Sequence, residues 1–469
     1  MQILNLSLDR VVAVQLSKKG IVPRKVMGLF NDYTPEQLAL IEDIELVGAS
    51  SLKSIENLQN LKSITVRTNT DDERRKLGLP VVFDEFLPES SRRASIDDND
   101  LFKHLSKCKS LENINLLGQS KLTMFDAGDF PNLTSLKIND CKTLETITGL
   151  DKAKNLKSIE AVGNESLVSI DGLVGIFTDT SKRVETNLDV QLFPMAIGYK
   201  YGYRGQTMNY AALENIKMDM GAHKWSEHTD VWRTDEQGNR VLDTINKTVD
   251  TKTMLNTHAT LSNVIKNRFD PKMSAWEQIE LAHLWTSKNI QYDRNAKNFD
   301  GNFLTGAVNG RGVCEGYTRT MQYLLTLVDI DTKNVTCLAD FENGGKLNQL
   351  IASGDVDLKY KIANNWESGE NGQPGFGRLL HSCIRIETPQ GYYYCDPTWD
   401  KNLVLNSPML PSFCILNKDE ISKNHILGDE TDVISAPSLW KTRPQEMAIL
   451  TARTKQALTE NKTAQTEKY

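Results

Sequence analysis

A short apolar pattern repeats five times in the first half of the chain. The first, fourth and sixth residues are apolar in the segments that begin at Ile41, Leu61, Leu111, Leu133 and Leu156. Apolar residues recur eleven, fourteen and seventeen positions later, at Leu52, Leu122, Leu144 and Leu167, at Ile55, Phe125, Ile147 and Ile170, and at Leu58, Leu150 and Leu173. Alternation of this kind predicts a short strand followed by a turn with further inward residues. One unit cannot bury its apolar side alone, so the units must stack, with their strands in a parallel sheet.

This pattern resembles a leucine-rich repeat array of the irregular kind found in bacterial proteins. The resemblance covers residues 36–178 and implies a solenoid, preceded by a capping segment over residues 1–35. Residues 67–100 interrupt the pattern, which indicates an inserted loop or a decayed repeat. Such arrays usually bind protein on their strand face, and the alternative is that the array only braces the second half. The polar side chains expected on that face are Asn113, Asn115, Ser135, Lys137, Ser158 and Glu160.

The second half carries a cysteine where a glycine-rich loop turns into a helix. Residues 310–317 read GRGVCEGY, and apolar residues at helical spacing follow them. Cys314 in the first turn would meet unpaired amide groups and the positive end of the helix dipole, which stabilise a thiolate. The same amides can stabilise an oxyanion after the thiolate attacks an acyl carbon. Taken alone, a cysteine of this kind is more often a small buried hydrophobe.

A histidine and an aspartate lie on a predicted hairpin downstream of the cysteine. The segment LLHSCIRIETPQGYYYCDPTWD reads as two strands joined by a turn, with Thr388 opposite Gly391. Cys383 then faces Asp396, and His381 lies two residues further along the same face. This diagonal is about 7 Å between backbones, which side chains can bridge. Asp396 would hold the ring of His381 and favour its charged form, as the third group of an activated nucleophile does.

Together, GRGVCEGY, HSCIRI and YYYCDPTWD resemble the motifs of the transglutaminase-like superfamily, within the wider papain-like cysteine group. The resemblance covers residues 255–430. It implies that Cys314 is the nucleophile, His381 the base and acid, and Asp396 the residue that orients the histidine. Family members often carry His-Ala-Trp-Asn at the histidine, where this chain has His-Ser-Cys-Ile. This departure weakens any inference about the neighbouring subsite.

Further residues near these motifs are given lesser roles. Gly312, Trp399 and Asn309 are candidates for substrate binding, although Trp399 fits better as a packing wall. Asp400 is a fallback acid, and His425 is interpreted as structural.

The remaining segments complete an α+β architecture in which a repeat solenoid is followed by a transglutaminase-like domain. Residues 179–254 are interpreted as connecting strands or as the first part of the catalytic domain, 255–432 as the catalytic domain, and 433–469 as a C-terminal helix and polar tail. A long polar insertion, 340–378, separates the nucleophile from the base and could flank the cleft. In the catalytic domain, the helix bearing the cysteine is expected to pack on an antiparallel sheet bearing the histidine and the aspartate.

Composition narrows the cofactors, partners and compartment. The seven cysteines are scattered without a CxxC pair, and the seven histidines show no metal-binding spacing. We therefore expect a reducing compartment, no disulfide framework, and no metal or other cofactor. The net charge of −6 disfavours nucleic acid as a partner. No apolar run is long enough to span a membrane, and we interpret the N-terminus as folded structure and not as a signal peptide.

The predicted activity is acyl transfer on a protein substrate through a thioester. Water acting on glutamine gives deamidation, a lysine amine gives a cross-link, and water acting on a peptide bond gives proteolysis. One geometry serves all three, with deamidation or transamidation slightly favoured over a cysteine protease. A non-enzymatic binding module on the same scaffold is the alternative from another class. The domain combination also resembles bacterial effectors, which implies delivery into a host cell without a cleaved signal peptide. The alternative is a bacterial cytoplasmic or cell-surface enzyme.

Overall fold

The computed structural model describes residues 2–3, 5–26, 30–77, 79, 92–178, 183–198, 221–234, 240–270, 272–293, 300–339, 380–400, 412–428, 433 and 435–459. The fold is mixed α/β and divides into two compact units. The first contains the described residues up to Ile197 together with 221–226, and the second contains those from Glu227 onward. The predicted insertion at 340–378 and the end of the polar tail, 460–469, lie outside the described residues.

Parallel strands that follow the repeat pattern form the main sheet of the first unit. In spatial order they are Asp43–Val47, Ser63–Arg67, Asn113–Leu117, Ser135–Asn139, Ser158–Ala161, Glu185–Asp189 and the start of His223–Thr234. Equivalent repeat positions pair with one another, since Ile114 faces Ile64 on one side and Leu136 on the other. The apolar positions identified from the sequence are all buried. The parallel pairing continues past residue 178, where the sequence pattern ends.

A smaller parallel sheet contains Phe125, Ile147 and Ile170, which lie fourteen positions after the first residue of their repeats. Its strands are Met124–Asp126, Thr146–Thr148 and Ser169–Ile170. The helices of the first unit are Leu6–Lys18, Pro35–Leu38, Asp71–Lys76, Asp98–Lys103, Leu173–Thr178 and Phe193–Ala196, with 3-10 turns at Ile55–Asn57, Leu105–Lys107, Ala127–Asp129 and Val190–Leu192. Arg24–Val26 and Phe30–Asp32 form a separate antiparallel pair.

The segment 67–100 leaves the main sheet uninterrupted. Strand Ser63–Arg67 pairs directly with Asn113–Leu117, the next repeat strand in the sequence. Near the end of the segment, Asp100 accepts hydrogen bonds from the backbone N–H of Leu52 (2.8 Å) and from the hydroxyl of Ser51 (3.0 Å). The end of the segment therefore packs onto the preceding repeat, as a decayed repeat would. Residues 78 and 80–91 of this segment lie outside the described part of the chain.

The second unit combines helices with a four-stranded antiparallel sheet. The sheet runs in the order Gly391–Cys395, Leu380–Thr388, Thr332–Ala339 and His425–Leu427. Its helices are Thr251–Arg268, Ala275–Asn289, Leu304–Ala307, Cys314–Thr326, Lys418–Ile421, Leu439–Thr442 and Pro444–Thr459, with a 3-10 turn at Asp300–Asn302. The remaining strands are Arg240–Asp250, the rest of His223–Thr234, and the pair Gln291–Tyr292 and Arg311–Gly312. None of the described helices combines the length and apolar character needed to cross a membrane.

The helix that begins at Cys314 packs on the sheet that carries His381, as the sequence predicts. It contacts the strands Leu380–Thr388 and Thr332–Ala339. The hairpin also has the predicted register, because Thr388 pairs with Gly391 and the pairing continues in step toward Asp396. With side chains alternating across the strands, this register directs His381 and Asp396 to one face.

Candidate active site

Cys314 is the first residue of the helix Cys314–Thr326, and backbone bonds hold the loop before it. The N–H of Val313 donates to the carbonyl oxygen of Gly301 (3.0 Å). All seven cysteines are among the described residues, and Cys314 is the one that is not buried. Cys314 therefore lies at the start of a helix and is partly exposed.

Gly316 allows this helix to pack directly on the segment 300–307. A Cβ at Gly316 would lie 2.1 Å from the carbonyl oxygen of Gly301 and 2.9 Å from the Cβ of Ala307. Because a backbone oxygen cannot move aside without distorting the loop, we expect Gly316→Ala to lower the free energy of unfolding by about 2–3 kcal/mol, measured by urea denaturation. The matched control is Gly175→Ala, at an exposed helical position with nothing within 4 Å, which should leave stability unchanged or raise it slightly. An unshifted unfolding transition for Gly316→Ala would contradict this account of the packing.

A polar network that sequence reasoning missed fixes the first turn of the helix. Glu315 accepts hydrogen bonds from Nη2 of Arg319 (2.5 Å) and from the hydroxyl of Thr229. Nη2 of Arg319 also donates to the backbone oxygen of His228 (2.7 Å), and Asn302 donates to the Thr229 hydroxyl (3.0 Å). The four-residue spacing of Glu315 and Arg319 on a predicted helix was the available signal. The network ties the residue next to Cys314 to a strand from a distant part of the sequence.

His381 and Asp396 form a hydrogen-bonded pair. His381 lies opposite Cys337 in the sheet, and Asp396 directly follows the returning strand of the hairpin. Nε2 of His381 lies 2.8 Å from Oδ2 of Asp396, and both residues are buried. Since Asp396 engages Nε2, Nδ1 is the ring nitrogen that would exchange a proton with the sulfur of Cys314.

The charged forms of His381 and Asp396 are favoured by the charges around them. Burial disfavours a charged ring, but the charges of Asp396 and Cys314 and the hydrogen bond to Asp396 raise the pKa of His381 well above its ordinary value. Burial likewise opposes an ionised Asp396, yet His381 and His425 lower the pKa of that carboxyl group below its usual range. A thiolate, an imidazolium and a carboxylate would stabilise one another in this way. The structure thus pairs His381 with Asp396, and the charge of Cys314 acts on the same histidine.

Asp400, the fallback acid, is engaged with a different histidine. Its Oδ2 lies 2.9 Å from Nε2 of His283, and the same carboxylate accepts two backbone N–H bonds (3.0 and 2.9 Å). Burial opposes a charged ring here too, but the hydrogen bond to Asp400 and the charges of Asp400 and Cys395 raise the pKa of His283 to about 10. The pair anchors the segment that follows Asp396 to the helix that carries His283.

The candidate substrate-binding residues have protein neighbours of their own. The ring of Trp399 lies 6.2 Å from that of His381 and forms a wall beside it. Gly312 is buried, and a Cβ there would lie 3.1 Å from a neighbouring side chain. The side chain of Asn309 donates to a backbone oxygen one helical turn earlier (3.0 Å). Their roles in substrate binding stay predictions.

Two buried groups in the described part of the chain bring together side chains of the kinds that bind metals. One is His283, Cys395 and Cys414, and the other is His381, Asp396 and His425, each with potential ligand atoms within 4.8 Å of one another. In the second group, hydrogen bonds from both histidines to Asp396 account for the arrangement. In the first, His283 is already bonded to Asp400. We assign no metal to either group.

The polar residues predicted to bind a partner lie in two rows across the main sheet of the first unit. One row contains Asn113, Ser135 and Ser158, and the other contains Asn115, Lys137 and Glu160. Side chains within a row interact, since Nζ of Lys137 lies 2.9 Å from Glu160 and the hydroxyl of Ser158 donates to that of Ser135 (2.9 Å). All six are partly exposed. They form a continuous polar surface on one face of the sheet.

No family model matches this chain, and no curated protein matches it. Two solved structures show a distant likeness to parts of the chain. A proposed cysteine protease from Cytophaga hutchinsonii is 11% identical, with a TM-score of 0.20, over 41% of this chain and 68% of that one. An internalin from Listeria monocytogenes is 16% identical, with a TM-score of 0.17, over 35% of this chain and 55% of the internalin. At these scores no functional conclusion follows from either likeness.

Proposed function

We propose that this chain is a thiol-dependent enzyme that transfers acyl groups from protein carboxamide or peptide bonds. The observation that carries the proposal is the contact of His381 with Asp396 on one side and its electrostatic interaction with Cys314 on the other. In this assignment Cys314 is the nucleophile, His381 moves the proton, and Asp396 orients the ring and stabilises its charge. These are the three parts that an activated thiol nucleophile requires.

The reaction would proceed through a thioester. The thiolate of Cys314 forms a bond to the acyl carbon, and the carbonyl π electrons move onto the oxygen, where amides of the helix start stabilise the negative charge. The intermediate collapses as the C–N bond breaks and His381 gives its proton to the departing nitrogen. Water or a second amine then loses a proton to His381 and attacks the thioester, which releases the sulfur and the product.

Deamidation or transamidation of glutamine is the favoured outcome, because the motifs resemble those of transglutaminase-like domains. Proteolysis by the same three residues is the second candidate.

A protein substrate is supported by the first unit, whose repeats resemble a leucine-rich repeat array and carry the two polar rows. A thiolate nucleophile must stay reduced, so we place the activity in a reducing compartment, cytoplasmic or reached by delivery into a host cell. A non-enzymatic binding module gives no reason for Cys314, His381 and Asp396 to interact.

Mass spectrometry of a cell lysate incubated with the wild type and with Cys314→Ala tests the proposal. Deamidation adds roughly one dalton at glutamine, transamidation adds the mass of an amine, and proteolysis creates new termini. We expect one of these changes with the wild type and none with Cys314→Ala. Cys108→Ala is the matched control, because Cys108 is buried in the first unit, and it should keep the activity. A lysate that is unchanged by the folded wild type would favour the binding module.

A further inference from the structure

Asp396 has a complete set of hydrogen bonds, and a second histidine supplies one of them. Oδ1 accepts the backbone N–H groups of Thr398 (3.0 Å) and Trp399 (3.4 Å). Oδ2 lies 2.8 Å from Nε2 of His381 and 3.1 Å from Nε2 of His425. A carboxylate that leaves water completely must be compensated in this way, since each unfilled acceptor would cost stability. His425 therefore belongs to the shell that keeps this buried anion charged.

The fold holds the ring of His425 firmly in this position. His425 begins the edge strand His425–Leu427 and pairs with Ala339 in the neighbouring strand. Its side chain is completely buried, with ring centroids of Trp399 at 4.7 Å and Phe413 at 6.1 Å. A buried ring packed against two aromatic side chains that also contact each other has little freedom to turn away from the carboxylate.

The charges around Asp396 give its two histidines different tasks. The charges of Asp396 and Cys314 favour the cationic form of His381, and the thiol of Cys337 opposite it stays neutral because burial raises the pKa of that thiol. Burial lowers the pKa of His425 and outweighs the raising effect of its contact with Asp396, and the nearby charge of His381 lowers it further. His425 is then a neutral ring that donates Nε2–H to Asp396. It supports the anion without competing with His381 for the charge.

We propose that His425 is a positioning residue: its neutral Nε2–H holds Asp396 ionised and in place, so that Asp396 can orient His381 toward Cys314. This inference rests on the proposed function, and it departs from the purely structural role expected for His425. It makes Asp396 the shared acceptor of two histidines, of which one moves the proton and the other fixes the carboxylate.

The test is the pH profile of iodoacetamide labelling at Cys314 in the full chain, because labelling needs no substrate. His425→Leu removes the donor, whereas His425→Gln keeps an N–H group near the carboxylate. We expect His425→Leu to slow labelling at neutral pH by about tenfold and to move the profile to higher pH, and His425→Gln to restore most of the rate. A merely structural role predicts equal profiles in all proteins that fold. Equal profiles, or no rescue by His425→Gln in a folded protein, would overturn the proposal.

A second measurement avoids variants that fail to fold. In wild-type protein with ¹⁵N-labelled histidine, NMR should show His425 as the neutral Nε2–H tautomer at neutral pH, and a doubly protonated or Nδ1–H form would overturn the assignment. The proposed enzyme function has its own test: it is wrong if Cys314 is labelled no faster in the folded wild type than in the unfolded chain. In that case the NMR signals still decide the role of His425.

Discussion

His381→Ala is expected to lower the rate of substrate modification by at least about a thousandfold, because it removes both the general base and the general acid. The same change should slow iodoacetamide labelling of Cys314 at neutral pH by about tenfold or more, since the thiolate loses its cationic partner. The structural reason is the raised pKa of His381, which the charges of Asp396 and Cys314 cause against the effect of burial. Labelling can be followed by mass spectrometry, with the six buried cysteines as internal references.

His104→Ala is the matched control for this prediction. His104 lies in the first unit, where Nδ1 is 3.0 Å from a carboxylate oxygen of Glu56, so its loss also removes a histidine that contacts a carboxylate. The rates of substrate modification and of Cys314 labelling should both stay at the wild-type level in this variant. If folded His381→Ala labels Cys314 as fast as the wild type does, His381 is not the partner of the thiolate.

Local patterns in the sequence were sufficient to predict the repeat sheet. The repeat spacing fixes which residues face inward, and a register shifted by one residue would expose them all, so Ile64, Ile114 and Leu136 must line up. The hairpin was predictable for a similar reason. The pairing of Thr388 with Gly391 sets the parity of the turn, which determines that His381 and Asp396 share a face.

Contacts that depend on the order of distant strands could not be predicted. The bond from His425 to Asp396 joins residues 29 positions apart, and it requires His425–Leu427 to lie at the sheet edge beside Thr332–Ala339. The bond from Arg319 to the backbone of His228 spans 91 positions. Hydrophobic periodicity assigns a residue to a face, but the packing of the whole unit decides which strands become neighbours. The sequence therefore indicated the three proposed catalytic residues and missed the side chains around them.

Asp396→Asn is expected to move the pH profile of Cys314 labelling to higher pH. In the wild type, the carboxylate helps to raise the pKa of His381 well above its ordinary value, so the imidazolium persists through neutral pH. An asparagine carries no charge, and the pKa of His381 should fall. His381 then loses its positive charge at a lower pH, and the sulfur of Cys314 must ionise without a neighbouring cation. Labelling at neutral pH should be about tenfold slower, and it should recover as the pH is raised.

The same substitution should destabilise the second unit by about 3–5 kcal/mol at neutral pH, because it leaves a buried histidine without its anionic partner. The lowered pKa of Asp396 stabilises the fold above the unfolded pKa of about 4, and this contribution is lost as the pH falls through the lower folded value. His381 has the opposite dependence. Its raised pKa stabilises the fold below the unfolded value of about 6.5, and the contribution is lost as the pH rises through the folded value. Urea denaturation should therefore show the largest difference between the two proteins from about pH 4 to about pH 6.5, where both contributions are complete.

Asp270→Asn separates these effects from the general loss of one negative charge. Asp270 lies in the same unit, where its carboxylate accepts the local backbone N–H of Lys272 (2.9 Å), a contact that an asparagine oxygen can also make. This control should keep the wild-type labelling profile and nearly the wild-type stability. If Asp396→Asn behaves like Asp270→Asn in both measurements, Asp396 is not the anion that charges His381. The thiol would then lack the electrostatic support on which acyl transfer by Cys314 depends.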